Sequence, residues 1–392
     1  MIRKEWLVTR GINVLTEYSL PLICGILLGM FWANLAPISY ESFLRFSLFG
    51  GNERFDTRFW INEVFMALFF GLATKEIVES TLPGGGLSPI KRALNPLFAT
   101  FGGIIGPAII YLSVVYLCDA KMLASGWAIP TATDIAMVWL VAKFLLGPSH
   151  PAINYLLLLA IVDDCIGLAI ICFFYPTTEK AGNPLFLILV IVAMGWAFFL
   201  RKNKIINHWA YLCGPGLLSW FGLFKAHLHP ALALVPIIPF LQSGNKDSGL
   251  FVHDTPEKSD TLGHFDNDLR KVVAFGLFGF GIVNAGVPLS AIGLPTLAVA
   301  LGLLVGKPTG IFIFGSLAKW CGFDLPVGMG YRELFIVGII AGLGLTVSLF
   351  VSTVAFADIQ LQSQAKMGAL FSIAAALIAY LFIRILKVNV RP

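Results

Sequence analysis

The chain has 392 residues, of which 57% are hydrophobic and only 12% are charged, and its mean hydropathy is +0.84. This balance excludes an ordinary soluble globular protein and predicts an integral membrane protein. The formal net charge of +5 gives no indication of nucleic-acid binding, because the basic residues belong to the loops between apolar segments. The six cysteines follow no metal-binding spacing.

About twelve apolar segments of roughly 17 to 25 residues follow one another, each long enough to cross about 30 Å of hydrocarbon. Residues 1–16, which include Arg3, Lys4 and Arg10, precede the first span and contain no cleavage site, so they predict a retained cytoplasmic segment. An even number of spans places both termini on one side, and the excess of Lys and Arg on that side predicts that it is the cytoplasm. The expected spans are 17–36, 60–82, 93–118, 122–144, 151–175, 183–201, 206–223, 227–242, 269–287, 295–319, 331–354 and 363–386.

Two loops carry signals of their own. Residues 44–59, between the first two spans, contain the turn sequence GGN between alternating apolar and polar residues, which is typical of a short extracellular β-hairpin. An ordinary loop fits this stretch as well. Residues 243–268 are polar and predict a mobile cytoplasmic linker between two groups of helices.

Two adjacent aspartates, Asp163 and Asp164, lie at the centre of the fifth segment, where a charged aspartate costs about 2.5–3.5 kcal/mol. Consecutive helical residues point about 100° apart, so one carboxylate can face a cavity while the other faces a protein partner. Because two close carboxylates repel each other, the pair predicts a site that exchanges protons near neutral pH. A permanently protonated, purely structural pair is the alternative.

The fourth and eleventh segments carry residues that can interrupt a helix inside the membrane. In the fourth, Pro130 and Thr133 precede Asp134, whose carboxylate suits the positive end of a half-helix that begins there. In the eleventh, Gly342 and Gly344 fit an unwound crossing, although glycines in a single membrane helix more often permit close packing. Together the two segments predict a pair of broken, crossing helices.

Each interrupted segment is the middle of a three-span group, and the two groups cover residues 93–175 and 295–386. This arrangement predicts an inverted repeat with its binding site where the broken helices cross. Lys307 lies near the centre of the tenth segment, where a lysine must be deprotonated or paired. We favour Asp163 as its partner, and an ion pair with a structural role alone is the alternative.

Five stretches, in their order and separation, carry a resemblance to a known family. GWAIPTATDIA, LAIVDDCIGLAIICFFY, NAGVPL, GKPTGI and GLGLTVSLF strongly resemble the bacterial NhaA-type sodium/proton antiporters, and the similarity extends over nearly the whole chain. The resemblance implies one membrane transporter domain over 1–392 in the bacterial inner membrane. It also implies electrogenic, alternating-access exchange of Na⁺ or Li⁺ for protons without a cofactor. Inverted repeats are known from this family, so the repeat prediction is not independent of the resemblance.

The resemblance also assigns roles by motif. Asp164 and Asp163 match the carboxylates that bind the cation, Na⁺, and the proton. Thr133 and Asp134 match the polar pair of the broken helix, and Lys307 matches the lysine that pairs with Asp163. The extracellular hairpin of this family mediates dimerisation, which implies a homodimer through the loop between the first two spans.

The chain departs from the family pattern at two places, and the second, the run GLATKEIVES, is associated in the family with pH sensing. After the sequence WIN, the family has Asp where this chain has Glu63. In GLATKEIVES, Lys75 matches a family lysine, Ala73 replaces the first acid, and Glu76 matches the second only when one residue is skipped. We expect Lys75 to act mainly as an anchor that snorkels to the cytoplasmic surface. His229 matches a histidine linked to the pH response, with an ordinary interfacial histidine as the alternative.

Two other classes of function fit parts of the pattern. A sodium-coupled symporter of a small organic anion could use the same architecture, with Lys307 as the basic residue available for the anion. An intramembrane aspartyl protease could use two membrane aspartates as a catalytic dyad. Such proteases resemble a pattern with the acids on separate helices and a Gly-x-Gly-Asp motif, whereas GLGLT lacks the acid.

Overall fold

The computed structural model describes residues 20–47, 55–88, 90–175, 183–243 and 260–388. Within these ranges the chain is helical, and the β-type pairing found there is one isolated antiparallel bridge between Ser47 and Asp56. The fold is therefore all-α, as the hydropathy pattern predicts.

The longer α-helices are numbered along the chain. They are α1 (Leu20–Leu35), α2 (Pro37–Leu44), α3 (Met66–Ser80), α4 (Ile90–Leu117), α5 (Ile135–Leu146), α6 (Pro151–Phe174), α7 (Leu187–Lys202), α8 (Leu217–Ala226), α9 (Thr261–Ala285), α10 (Leu294–Leu301), α11 (Lys307–Trp320), α12 (Tyr331–Ala341), α13 (Thr346–Ala355), α14 (Ile359–Phe371) and α15 (Ala374–Leu386). Single π-helical stretches precede α3, α8 and α11, at Trp60–Phe65, Leu212–Gly216 and Gly302–Gly306.

Several helix starts follow from capping residues in the sequence. Asp260 begins α9 by accepting a hydrogen bond from the backbone N–H of Gly263 at 2.9 Å. Asp358 begins α14 in the same way. These carboxylates satisfy N–H groups that have no partner inside the helix. The predicted linker covers residues 243–268, but its last part, from residue 261 on, belongs to α9. Residues 244–259 lie outside the described ranges.

Among the described residues, 5 helical segments are long and apolar enough to cross a bilayer by themselves. Two further spans are broken. The 3₁₀-helix Lys121–Thr131 meets α5 at 55°, and α12 meets α13 at 52°. They coincide with the fourth and eleventh predicted segments, so both predicted interruptions are confirmed.

The eighth predicted segment differs from a continuous helix. Residues 227–242 form turns with two short 3₁₀-helices, Pro230–Leu232 and Ile238–Phe240. Pro230, Pro236 and Pro239 explain the difference, because each removes a backbone donor and blocks the preceding turn.

The predicted hairpin region is described only at its ends. Helix α2 ends at Leu44, and a short helix over Thr57–Phe59 begins behind the cap Asp56. Residues 48–54 lie outside the described ranges, as does the predicted cytoplasmic segment 1–16. The hairpin stays a prediction.

The chain divides into two compact units, each made of two stretches of sequence. The first unit consists of residues 1–85 and 171–286, and the second of residues 86–170 and 287–392. In the first unit α1 packs along α9. In the second, α4 packs along α11, and both broken spans belong to this unit.

Candidate functional site

The second unit gathers the site residues predicted from the two repeats. Thr133 and Asp134 lie in the extended stretch between the 3₁₀-helix and α5. Asp163 and Asp164 lie halfway along α6, and Lys307 is the first residue of α11. All five side chains are buried, and Lys307 is 0% exposed. The fold thus brings together residues that are distant in the sequence.

Asp163 is the centre of a tight polar contact. Its Oδ2 atom accepts hydrogen bonds from Lys307 Nζ at 2.8 Å and from Thr133 Oγ1 at 2.6 Å. Lys307 Nζ also donates to the backbone oxygen of Thr131. The structure therefore contains the ion pair that the sequence favours. Loss of either partner would leave the other charge buried and unpaired, which costs far more than loss of a surface pair.

Asp164 has a different environment from its neighbour. Its side chain is 8% exposed, and among the residues that the structure describes its Oδ1 atom has no hydrogen-bond partner. The negative charges of Asp163 and Asp134 destabilise a charged Asp164 carboxylate, whereas the positive charge of Lys307 stabilises it. A buried carboxylate oxygen without a donor gains strongly from a bound cation or proton.

Asp134 joins the two broken spans. Its Oδ1 atom accepts from the backbone N–H of Met137 at 3.1 Å, in the first turn of α5. Its Oδ2 atom accepts from the N–H of Thr346 at 3.2 Å, at the start of α13. One carboxylate therefore lies at the positive ends of two half-helices, where a negative charge is stabilised.

The backbone at the crossing leaves little space. An ideal Cβ on Gly344 would lie 2.7 Å from the backbone oxygen of Ala132, and one on Gly342 would lie 2.6 Å from that of Leu303. At both positions the lack of a side chain permits the close approach of neighbouring backbone. Pro130 lies in the last turn of the 3₁₀-helix, immediately before the extended stretch.

Sequence reasoning missed two buried serines beside the crossing. Ser348 Oγ donates to the backbone oxygen of Ile129 at 2.7 Å, and Ser372 Oγ accepts from the N–H of Gly344 at 3.3 Å. Both bonds satisfy backbone groups released by the breaks. In the sequence, Ser372 is an isolated hydroxyl inside an apolar span, whereas Ser348 lies between Thr346 and Ser352.

Glu76 belongs to an ionic cluster of the first unit. Lys75 Nζ lies 2.6 Å from Glu79 Oε2, 3.2 Å from Glu76 Oε1 and 3.2 Å from Asp266 Oδ2, and Arg270 pairs with Asp266. Lys75 is 4% exposed. The expectation that it snorkels as an anchor is therefore wrong, because α3 and α9 surround its ammonium group with three carboxylates.

His229, the other candidate for a pH response, lies beside Glu63 in the same unit. Its Nδ1 atom is 3.7 Å from Glu63 Oε1. The Glu63 carboxylate also accepts a hydrogen bond from the N–H of Ala231 at 3.4 Å. The backbone oxygen of Glu63 accepts one from Trp220 Nε1 at 3.0 Å. The longer side chain at position 63 is thus fixed next to the histidine.

Two interrupted membrane spans, joined at their breaks beside buried acids and a paired lysine, define a secondary transporter for ions. The family model for Na⁺/H⁺ antiporter 1 matches residues 12–383. The chain belongs to this family. The family consists of transporters and not of enzymes, which decides against the protease alternative.

Similar proteins cover almost the entire chain. A protein named Na⁺/H⁺ antiporter NhaA from Desulfitobacterium hafniense (strain DSM 10664 / DCB-2) is 49% identical over 381 residues, which are 97% of this chain and 97% of the relative. A protein of the same name from Geobacter sulfurreducens is 47% identical over 383 residues, which are 98% and 100% of the two chains.

A solved structure supports the fold. The sodium proton antiporter MjNhaP1 from Methanocaldococcus jannaschii matches 98% of this chain and 99% of its own, with a TM-score of 0.57 and 13% sequence identity. At this identity the likeness concerns the architecture alone.

Proposed function

We propose that the chain exports Na⁺ or Li⁺ in electrogenic exchange for protons, and that Asp163 and Asp164 bind both ions in turn. The relatives named as Na⁺/H⁺ antiporters support the exchange. The observation that carries the site assignment is the buried Asp164 Oδ1 atom next to the Asp163–Lys307 pair, for which the described part of the chain provides no hydrogen-bond donor.

The mechanism is competition for the same carboxylates. A sodium ion that binds Asp164 and Asp163 attracts the Asp163 carboxylate away from the Lys307 ammonium group. The backbone oxygen of Thr131 still accepts from Lys307, so the lysine keeps one hydrogen bond while the sodium ion is bound. Protons that return to the site release sodium and restore the pair. Electrogenic exchange requires more protons to enter than sodium ions leave in each cycle.

Alternating access requires that the site, with sodium or protons bound, can change the side to which it opens while exposing little net charge. Either sodium or protons neutralise the acids, and the repeats over 93–175 and 295–386 change their exposure around the site. Thr133 and Asp134 hold this geometry, Thr133 through its bond to Asp163 and Asp134 through its bonds to two half-helices. Pro130, Gly342 and Gly344 permit the breaks.

The remaining organisation follows from the sequence and from the family. We infer a single transporter domain with about twelve spans in the bacterial inner membrane, and cytoplasmic termini. The distribution of Lys and Arg in the loops supports this orientation. We further infer a homodimer through residues 44–59, as in the resembling family.

We also infer that Glu76 and His229 take part in a response to pH. Around Glu76, two cations face three carboxylates, so addition or loss of one proton changes the charge balance between α3 and α9. His229 is the second candidate because its Nδ1 atom lies 3.7 Å from the Glu63 carboxylate. No observation favours the organic-anion symporter, because Lys307 already binds Asp163 and Thr131.

The experiment that tests this function replaces Asp164 with Asn. Everted membrane vesicles with the wild-type protein, energised with a proton gradient, should lose part of that gradient when Na⁺ or Li⁺ is added. Asp164→Asn should abolish this response, because the amide cannot balance the charge of a cation. Fluorescence of a ΔpH-sensitive dye measures both.

Asp358→Asn is the matched control. It makes the same chemical change at an exposed helix cap in the same unit, and Asn is itself a good cap. It should exchange ions like the wild type. Wild-type exchange by Asp164→Asn would refute the site, and a wild type without any response to Na⁺ would refute the function.

A further inference from the structure

A second polar junction lies in the unit that contains the ion site. Asn95 of α4 donates through Nδ2 to the backbone oxygen of Gly315 at 3.1 Å and to that of Phe323 at 2.7 Å. Its Oδ1 atom accepts from the hydroxyl of Tyr155, on α6, at 2.7 Å. Asn95 and Tyr155 are 1% and 2% exposed. Every polar atom of a buried amide is thus used to join three elements.

The spacing of this junction from the ion pair is the same on all three helices. Asp163 follows Tyr155 by eight residues on α6, and Lys307 precedes Gly315 by eight residues on α11. On α4, Gly103 follows Asn95 by eight residues, and an ideal Cβ there would lie 3.8 Å from Cε of Lys307. Eight residues of α-helix correspond to about 12 Å.

Two levels of contact, about 12 Å apart, therefore connect the same helices. The ion pair joins α6 to α11 at one level, and the junction of Asn95 joins α6 to α11 through α4 at the other. Between the levels, Thr100 Oγ1 of α4 contacts the backbone oxygen of Leu159 at 3.4 Å. A slip of one residue along a helix is about 1.5 Å, which is enough to break the 2.8 Å contact between Lys307 and Asp163.

We propose that Asn95 and Tyr155 are positioning residues for ion exchange, because their junction fixes the axial register of α6 against α11 and thereby holds Asp163 next to Lys307. The inference rests on the proposed function of that pair. Neither residue touches the transported ion. They act on exchange through the geometry of the Asp163–Lys307 pair. The polar groups around this pair are the Thr133 hydroxyl and the carboxylates of Asp134 and Asp164.

The test removes the Tyr155 hydroxyl with Tyr155→Phe. In the proposed site Na⁺ is bound by Asp163 and Asp164 together, whereas a proton needs only one carboxylate oxygen, so a displaced Asp163 weakens Na⁺ binding more than proton binding. The apparent KM for Na⁺ at neutral pH should therefore rise about three- to tenfold, the factor that corresponds to one net hydrogen bond. The pH of half-maximal exchange should move up by about half a unit or more, while the maximal rate at saturating Na⁺ and high pH stays near wild type. Proteoliposomes titrated with Na⁺ at several pH values provide these quantities.

Tyr111→Phe is the matched control, since the buried hydroxyl of Tyr111 donates to the backbone oxygen of Leu123 at 2.8 Å in the same unit. It should lower the thermal stability to a similar extent and leave the KM and the pH profile unchanged. Asn95→Leu removes the junction from α4 and should shift the KM and the pH profile in the same direction as Tyr155→Phe. If one of these two variants does not fold, the other still tests the inference.

The outcomes separate this inference from the proposed function. An unchanged KM and pH profile in Tyr155→Phe or Asn95→Leu, beside an inactive Asp163→Asn variant, would overturn the positioning role alone. Wild-type exchange by Asp163→Asn would overturn the site assignment and the positioning role together.

Discussion

At the scale of single residues, Lys307 shows how a charge is accommodated in the middle of a membrane span. Its ammonium group is fully buried and has two acceptors, the Asp163 carboxylate and the backbone oxygen of Thr131. The sequence predicts the charge in mid-span and the partner, because an unpaired lysine there is unstable. It does not predict Thr131 as the second acceptor, since a backbone oxygen becomes available only where the helix ends.

Removal of the lysine alone should destabilise the protein strongly. Lys307→Ala leaves Asp163 buried without its counter-ion, and the loss of one partner of a buried pair costs about 3–5 kcal/mol. Combining it with Asp163→Asn should recover part of the stability, since no unpaired charge remains. Thermal unfolding of the purified variants in detergent measures the difference. A double variant less stable than Lys307→Ala would contradict the pairing.

Among the elements, the two broken spans show how much the sequence reveals. Pro130 and the polar residues after it predict the first break, and Gly342 with Gly344 predicts the second, because both patterns are local. That Asp134 also caps α13 could not be predicted, since Thr346 lies 212 positions away and only the packed fold brings it near.

Lys75 illustrates the same limit of sequence reasoning. Its position near a helix end suggests a snorkelling anchor, but Asp266, which lies 191 positions further along the chain, faces it from α9. Hydropathy predicts that α3 and α9 cross the membrane region, and it contains no information on which of their faces meet. Ionic clusters between helices therefore have to be found in the structure.

A methyl group at the crossing should disturb the second break. In Gly344→Ala the new Cβ would lie 2.7 Å from the backbone oxygen of Ala132, so the crossing has to open. We expect a loss of Na⁺-dependent exchange in vesicles that contain normal amounts of protein. Gly195→Ala is the control, because nothing lies within 4 Å of a Cβ at that helical position. Equal activity of the two variants would contradict the close approach.

For the whole molecule, the proposed ion site and the proposed pH-response residues belong to different units. The second unit contains the candidate ion site with both broken spans, and the first contains the cluster of Lys75 and the contact of His229 with Glu63. The all-α architecture and the family could be predicted from composition and motifs. The sequence analysis pairs residues 93–175 with 295–386, and the second unit combines residues 86–170 with 287–392. For the first unit the sequence predicts no such pairing, because its two stretches carry no pair of interrupted segments.

The proposed electrogenic exchange predicts that voltage drives transport. A membrane potential adds about 2.3 kcal/mol per net charge for each 100 mV, so a potential that is negative on the proton-receiving side should accelerate sodium export. Radioactive sodium flux from proteoliposomes, with the potential set by a potassium gradient and an ionophore, measures the effect. Vesicles with Asp164→Asn correct for leakage. Equal rates with and without the potential would show electroneutral exchange.

The double cap made by Asp134 has a mechanical consequence. The carboxylate binds the first turns of α5 and α13, and the backbone N–H of the same residue donates to the oxygen of Leu343 at 2.8 Å. Neither half-helix can slide past the other without stretching one of these bonds. The two broken spans therefore share a pivot at this residue, and a tilt of one has to be followed by the other.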